Sequence, residues 1–253
     1  MSIGKYHYRF IKQFMKKDLN NIKITNGVPQ VVFIFWFSHS EYIPSFSIRR
    51  FASLQSLISN IKVPVIIITQ ENINDWEVKN NTIHEGFKYL SGNHKSDYLR
   101  AYFLYHYGGG YHDIKYREKS WENEWEKFTD SNIWIIGRKE LSSDCIGYNH
   151  EKNEQWVKNK FDKLVTFGWV ICRPKNEFLF ELFKKINEIM QNKLHLLKTN
   201  PALNPRCSKS YNCNNNYPIR WLEIMGEISH PLMLNYINHI NYTLPDIQYK
   251  PYK

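Results

Sequence analysis

Apolar positions along this chain fall into two kinds of run, and the two alternate. Near the start, Ile3, Tyr6, Phe10, Ile11 and Phe14 recur at helical spacing while Lys5, Arg9, Lys12 and Lys16 occupy the other faces. That pattern predicts a basic amphipathic helix within residues 1–27. Such a helix either packs on the domain with its cations in water or docks on an anionic membrane surface. After a turn at Asn26-Gly27, residues 31–37 (VVFIFWF) form a continuous apolar run of strand length, the pattern of a strand buried on both faces. Residues 44–61 then place Phe51, Leu54, Leu57, Ile58 and Ile61 at helical spacing, and residues 63–69 (VPVIIIT) are a second β-branched run. Strand, helix, strand predicts an α/β domain with a mostly parallel central sheet and ligands at the carboxyl ends of its strands.

The remaining chain continues the alternation. Residues 95–107 read as a helix with Ser96 as N-cap, ending at Gly108-Gly109-Gly110, where glycine permits left-handed backbone angles. Residues 111–116 read as a strand, 121–128 as a helix, and 132–137 and 167–172 as strands. A helix over residues 176–197 and a polar loop over 199–218 follow. There is no internal repeat and no linker, so residues 28–253 read as one domain behind the basic helix of residues 1–27.

Composition narrows the function. Of 253 residues, 42% are apolar and 23% charged, which excludes a disordered chain. No run of eighteen apolar residues exists to span a membrane. The net charge of +10 favours an anionic partner: a phosphate-bearing substrate, nucleic acid or a membrane surface. No apolar secretory leader is evident, so a cytoplasmic site is expected, peripheral at a membrane if the first helix docks there. Cys207 and Cys213 flank a short polar loop and could bridge in an oxidising compartment; on the same ground they are expected as free thiols.

The densest chemistry lies in residues 96–115, SDYLRAYFLYHYGGGYHDIK. Asp97 and Arg100 are three apart on one helix and share a face. Asp113 and Lys115 alternate with Ile114 on the following strand and point the same way. Taken singly, Asp97 with Arg100 is an exposed ion pair contributing under about 1 kcal/mol. As an ordered block, these residues put acids and bases on one pocket wall.

This block resembles the conserved region of the D-x-D glycosyltransferases, whose relatives include capsular polysaccharide synthesis proteins, outer-chain mannosyltransferases and bacterial glucosylating toxins. Their pattern, S-D-x-x-R-x-x-x-L-x-x-x-G-G-x-Y-x-D-x-D, is met by Ser96, Asp97, Arg100, Leu104, Gly108, Gly109, Tyr111 and Asp113 if the third glycine fills the variable place. The run ending at Trp36 is similar to the family's first strand. The resemblance implies a GT-A-like, Rossmann-type nucleotide-binding sandwich that uses a nucleotide-sugar donor and a glycan or protein acceptor, with retention at the anomeric carbon. Carried over, Trp36 contacts the base, and Asp97 and Arg100, with Gly109 and Tyr111 of the same motif, hold the donor. Asp113 binds a divalent metal, manganese or magnesium, against the diphosphate. The chain departs from the pattern at Lys115, which stands where the second acid belongs. A charged lysine has no lone pair for a metal. Three readings follow: Asp113 alone holds the ion, Lys115 itself meets the phosphates, or the protein binds a donor or glycan without turnover.

A second cluster at residues 217–231 offers Arg220, Glu223, Glu227 and His230, with Pro218 as a helix start. His230 or Glu223 is the candidate to complete the metal or diphosphate site. The competing class is a basic module for single-stranded nucleic acid, which needs cations and aromatics on one groove. Here the charges are dispersed and no such motif occurs, so no specific nucleic-acid partner is expected.

Overall fold

The computed structural model describes residues 3–37, 46–148, 154–209, 213 and 216–247. Pro44, the side chain of Ile3, and residues 210–212 and 214–215 of the polar loop lie outside the described residues. Helix α1 (Ile3–Lys12) leads into a two-residue hairpin, β1 (Ile24–Thr25) and β2 (Val28–Pro29), turning at Asn26 and Gly27 with φ of 52° and 78°. Positive φ at both central residues is what an Asn-Gly hairpin turn requires. Strands β3 (Val32–Phe35) and β4 (Val65–Ile68) flank α2 (Ile48–Ile61), whose cap Ser47 accepts from the Arg50 amide. Then come α3 (Gly92–His106), β5 (Gly109–His112), β6 (Ile135–Ile136), α4 (Glu154–Lys158) and β7 (Trp169–Cys172). Helices α5 (Glu177–Asn192), α6 (Leu194–Thr199) and α7 (Gly226–Met233) and strand β8 (Ile240–Asn241) close the order.

Six strands form one sheet in the order β4-β3-β5-β7-β6-β8. β3 pairs parallel with both β4 and β5, β6 is parallel to β8, and β7 is antiparallel to its two neighbours. The architecture is a mixed α/β sandwich with a mostly parallel sheet. The long apolar run around β3 has a direct cause: Phe33 and Phe35 enter one hydrophobic cluster, with α3, α5 and α7, while Val32 and Ile34 enter the other, with α2, Ile11 of α1, Trp121 and Trp125. Strand alternation feeds both layers. On α1, His7 and Ile11 are buried, His7 stacks on Phe51 of α2 at 4.0 Å, and the Ile67 amide donates to the Phe14 carbonyl.

Several boundaries differ from the pattern-based expectation. Ser91, rather than Ser96, caps α3, its hydroxyl accepting from the His94 amide. Gly92, Asn93 and His94 are poor helix formers and disguise that first turn. β5 stops at His112, because its partner β7 begins at Trp169 opposite it; Asp113 and Lys115 therefore lie beyond the strand. The segment expected to be helical at 121–128 is a 3₁₀ turn over Glu124–Thr129. Lys193 divides the last long helix into α5 and α6, and Pro218 starts no helix, the next one beginning at Gly226. The thiol expectation is also corrected: Cys207 and Cys213 form a disulfide, their Cα atoms 4.9 Å apart, within the span a disulfide bridges. Among the described residues no helix is long and apolar enough to cross a membrane.

Candidate functional site

Chain order fixes where a ligand can enter. From β3 the chain crosses to β4 on one side, then returns to β5 on the other. In open α/β sheets such a reversal leaves a crevice beyond the carboxyl ends of the two strands. Trp36 follows β3 and Asp113 follows β5, so both stand at that edge. The glycines before β5 make the delivery possible. Gly108 and Gly109 have φ of 68° and 80°, and a side chain on Gly108 would meet Pro174 Cδ at 2.5 Å. Only glycine turns the chain from α3 into β5 at this density.

Asp97, Arg100, Tyr111 and Asp113 come together as one knot. Arg100 Nη2 lies 3.3 Å from Asp97 Oδ1 and 3.7 Å from Asp113 Oδ1. The Tyr111 hydroxyl donates to Asp113 Oδ1 at 2.6 Å and accepts from Arg100 Nη2 at 3.3 Å. The Tyr111 ring stacks on Phe35 at 5.1 Å and carries the Arg100 guanidinium at 4.3 Å from its centroid. Burial opposes the Arg100 charge, but Tyr111, Asp97 and Asp113 together outweigh it and hold the guanidinium more firmly charged than usual. Burial raises the Asp97 carboxyl to about 6; Arg100 pulls it down and Asp113 pushes it up. Burial holds the Tyr111 phenol well above its ordinary value, so it remains a neutral donor. The Asp113 side chain keeps 34% of its surface exposed, enough for a ligand to reach it while Tyr111 holds it.

The backbone of Asp113 is anchored from two sides. Its amide donates to the Gly168 carbonyl at 2.7 Å. Its carbonyl lies 2.5 Å from Nδ1 of the buried His112, whose Nε2 is 2.9 Å from Arg117 Nε. Arg117 has only donors, so Nε2 accepts and Nδ1–H donates to the carbonyl. Burial, then the Arg117 charge, holds His112 well below its ordinary value and therefore neutral. Arg117 is itself buried, donating to the carbonyls of Lys119 and Pro245 and lying over Trp121. This cation ties the end of β5 to the C-terminal segment.

Besides Arg117, three contributors escaped the sequence reading. Arg50 of α2 sits 5.7 Å from the Trp36 ring centroid and donates to the Ile114 carbonyl at 3.4 Å, so it bridges the two strand ends. Its signal was available: Arg49 and Arg50 fill the first turn of a helix, where the macrodipole disfavours cations. Tyr217 and His94 are the others. Tyr217's hydroxyl meets His94 Nδ1 at 2.8 Å, and His94 Nε2 reaches the Arg220 carbonyl at 3.1 Å. Burial lowers His94 to about 4. Burial raises the Tyr217 phenol, and the Asp97 charge contributes in the same direction. These contacts join residues more than a hundred positions apart, and no local pattern announces them.

Other candidates are placed elsewhere. Gly109 begins β5, a strand length of about 13 Å from Asp113. His230 accepts from the Gly147 amide at 2.7 Å through Nδ1, and its Nε2 lies 3.6 Å from Glu140; neither partner belongs to the knot. Glu223 is taken up by Lys193 and the Arg220 amide, and Glu227 by Arg220. Trp36 stacks on Phe46 at 4.5 Å, and its indole N–H is buried without an acceptor. Lys115 is partly exposed, and its charge is felt at His112. Among the described residues no three His, Cys, Asp or Glu side chains gather as a metal-binding group.

The knot offers a reachable carboxylate for hydroxyl groups beside the Arg100 guanidinium, and Arg50 reaches the carbonyl of the adjoining Ile114. No curated protein matches the chain. Among solved structures, the PaToxG glycosyltransferase is similar at 11% identity and a TM-score of 0.43, over 91% of this chain and 76% of that one. That is a distant likeness. The family model described as capsular polysaccharide synthesis protein matches residues 2–199, and the chain belongs to that family.

Proposed function

We propose that the protein transfers a glycosyl group from a nucleotide-sugar donor to a hydroxyl of a glycan or protein, with the donor seated in GT-A-like fashion between the carboxyl ends of β3 and β5. The observation that carries this reading is the Asp97–Arg100–Tyr111–Asp113 knot at the reversal of strand order. Trp36, with its unused indole N–H, meets the base. Asp97 and Arg100 fix ribose and sugar hydroxyls, and Asp113 faces the bond to be broken. Breaking it leaves charge on the departing diphosphate, and stabilising that charge is the main demand on such a site.

The residues fit a resident divalent ion poorly. Asp113 Oδ1 already takes Tyr111 and lies 3.7 Å from a guanidinium, and Lys115 replaces the second acid. Hard cations need oxygen ligands. Lys115 and Arg50 are assigned the diphosphate instead, Lys as a compact charge and Arg as a fork. Calorimetry with a panel of nucleoside diphosphates, with and without manganese, tests the assignment alongside a transfer assay. The expected result is tight binding of one base, little changed by chelator, and transfer lost in Asp113→Asn with the fold intact. Metal-dependent binding overturns the cation assignment. Full transfer in Asp113→Asn overturns the role of the knot, and binding without turnover of any donor identifies a binding protein.

A further inference from the structure

Residues 1–17 contain five Lys and Arg and no Asp or Glu, against a net charge of +10 for the whole chain. Helix α2 has no acid either, and carries Arg49 and Arg50. With His7 and Ile11 buried on α2 and the core, the opposite side of α1 presents Lys5, Arg9 and Lys12, all exposed. Their spacing of four and three makes one continuous stripe. Beside it, Tyr6 is 53% exposed and meets Phe51 edge-on at 5.7 Å, and Ile48, one turn before Phe51 on α2, is 77% exposed. An open depression lined by Tyr6, Arg9, Phe10, Lys12 and Gln13 runs along the helix.

A row of cations flanked by exposed aromatic and aliphatic side chains suits an interface with two chemistries: headgroup charge outside and acyl chains beneath. A soluble polyanion would engage the cations and leave Ile48 and Tyr6 in water. We propose that this α1–α2 edge is a docking surface for an anionic phospholipid bilayer. The proposal goes beyond the transfer reading, and its test uses no donor, so either can fail alone.

The experiment is co-sedimentation of the full chain with phosphatidylcholine vesicles, with and without phosphatidylglycerol, across a salt series. Binding is expected only to the anionic vesicles and weakens as salt rises. The Lys5→Gln/Arg9→Gln double variant should bind about 25-fold more weakly, at about fivefold per cation. Tyr6→Ser/Ile48→Ser should lose about tenfold while keeping the salt dependence. Circular dichroism checks both folds, and the wild-type salt series decides if either variant fails to fold. Equal binding to neutral vesicles, no binding to either, or undiminished binding by the Lys5/Arg9 variant overturns the proposal. Heparin binding in the absence of vesicle binding overturns the lipid assignment in favour of a soluble polyanion.

Discussion

Deleting a single oxygen tests the knot most directly. Tyr111→Phe keeps the ring on Phe35 and under the Arg100 guanidinium. It removes the donor of the 2.6 Å bond to Asp113 and the acceptor of the 3.3 Å bond from Arg100. Tyr111 is only 3% exposed, so water has little room to substitute. A hydrogen bond to a charged group contributes about 1.5–3 kcal/mol. At this chain length that lowers the melting temperature by about 3–12 °C. Asp113 remains 3.7 Å from Arg100, but that contact is too long to fix its rotamer. If the carboxylate must be aimed for transfer, the same energy reappears as a loss of about 10- to 150-fold in kcat/KM. The assay pairs thermal melting with kcat/KM for the donor chosen by the nucleotide panel. A variant that melts lower yet transfers at the wild-type rate refutes the argument, because the hydroxyl then serves folding alone.

Two further expectations follow from the same neighbourhood. Because the folded Asp97 value is raised from 3.8 to about 6, this group's stabilising contribution is complete below about pH 4 and is lost as pH rises through about 6. Asp97→Asn should therefore melt higher than wild type at pH 8, with the gap closing at pH 4. Its transfer activity should be low and lack the acid limb near pH 6 that ionisation of Asp97 gives the wild type. Gly108→Ala combines a φ of 68° with a 2.5 Å approach to Pro174. It should cost about 2 kcal/mol or more, read as a drop of at least about 4 °C in melting temperature; an unchanged melting temperature contradicts the geometry.

How far the sequence reached depends on the range of the interaction concerned. The run at residues 31–37 announced a two-faced strand because every side chain there meets a neighbouring layer, and hydrophobicity alone records that. Asp97, Arg100, Tyr111 and Asp113 sit within seventeen residues, so a helix and a glycine bend were enough to bring them together, although Asp113 lies one residue past the strand. Boundaries were less legible, since β5 ends where the antiparallel β7 begins rather than where its own residues cease to suit a strand.

What sequence pattern could not reach is the half of the site that depends on tertiary closure, and it has a physical theme. His94, Arg117 and Tyr217 each owe their place to partners far along the chain, and all three are buried polar groups satisfied mainly by backbone carbonyls or hydroxyls. A buried Arg117 with no ion pair among the described residues is costly: burial lowers it to about 10, against the pull of Asp246 and Glu124. Its donors instead join His112, Lys119 and Pro245. An apolar residue of similar size would fill that space at lower desolvation cost, but it would leave Nε2 of His112 unpaired and release its Nδ1–H from the Asp113 carbonyl. The stability given up at Arg117 is therefore coupled to the orientation of one peptide, the peptide that carries Asp113 to the edge of the sheet.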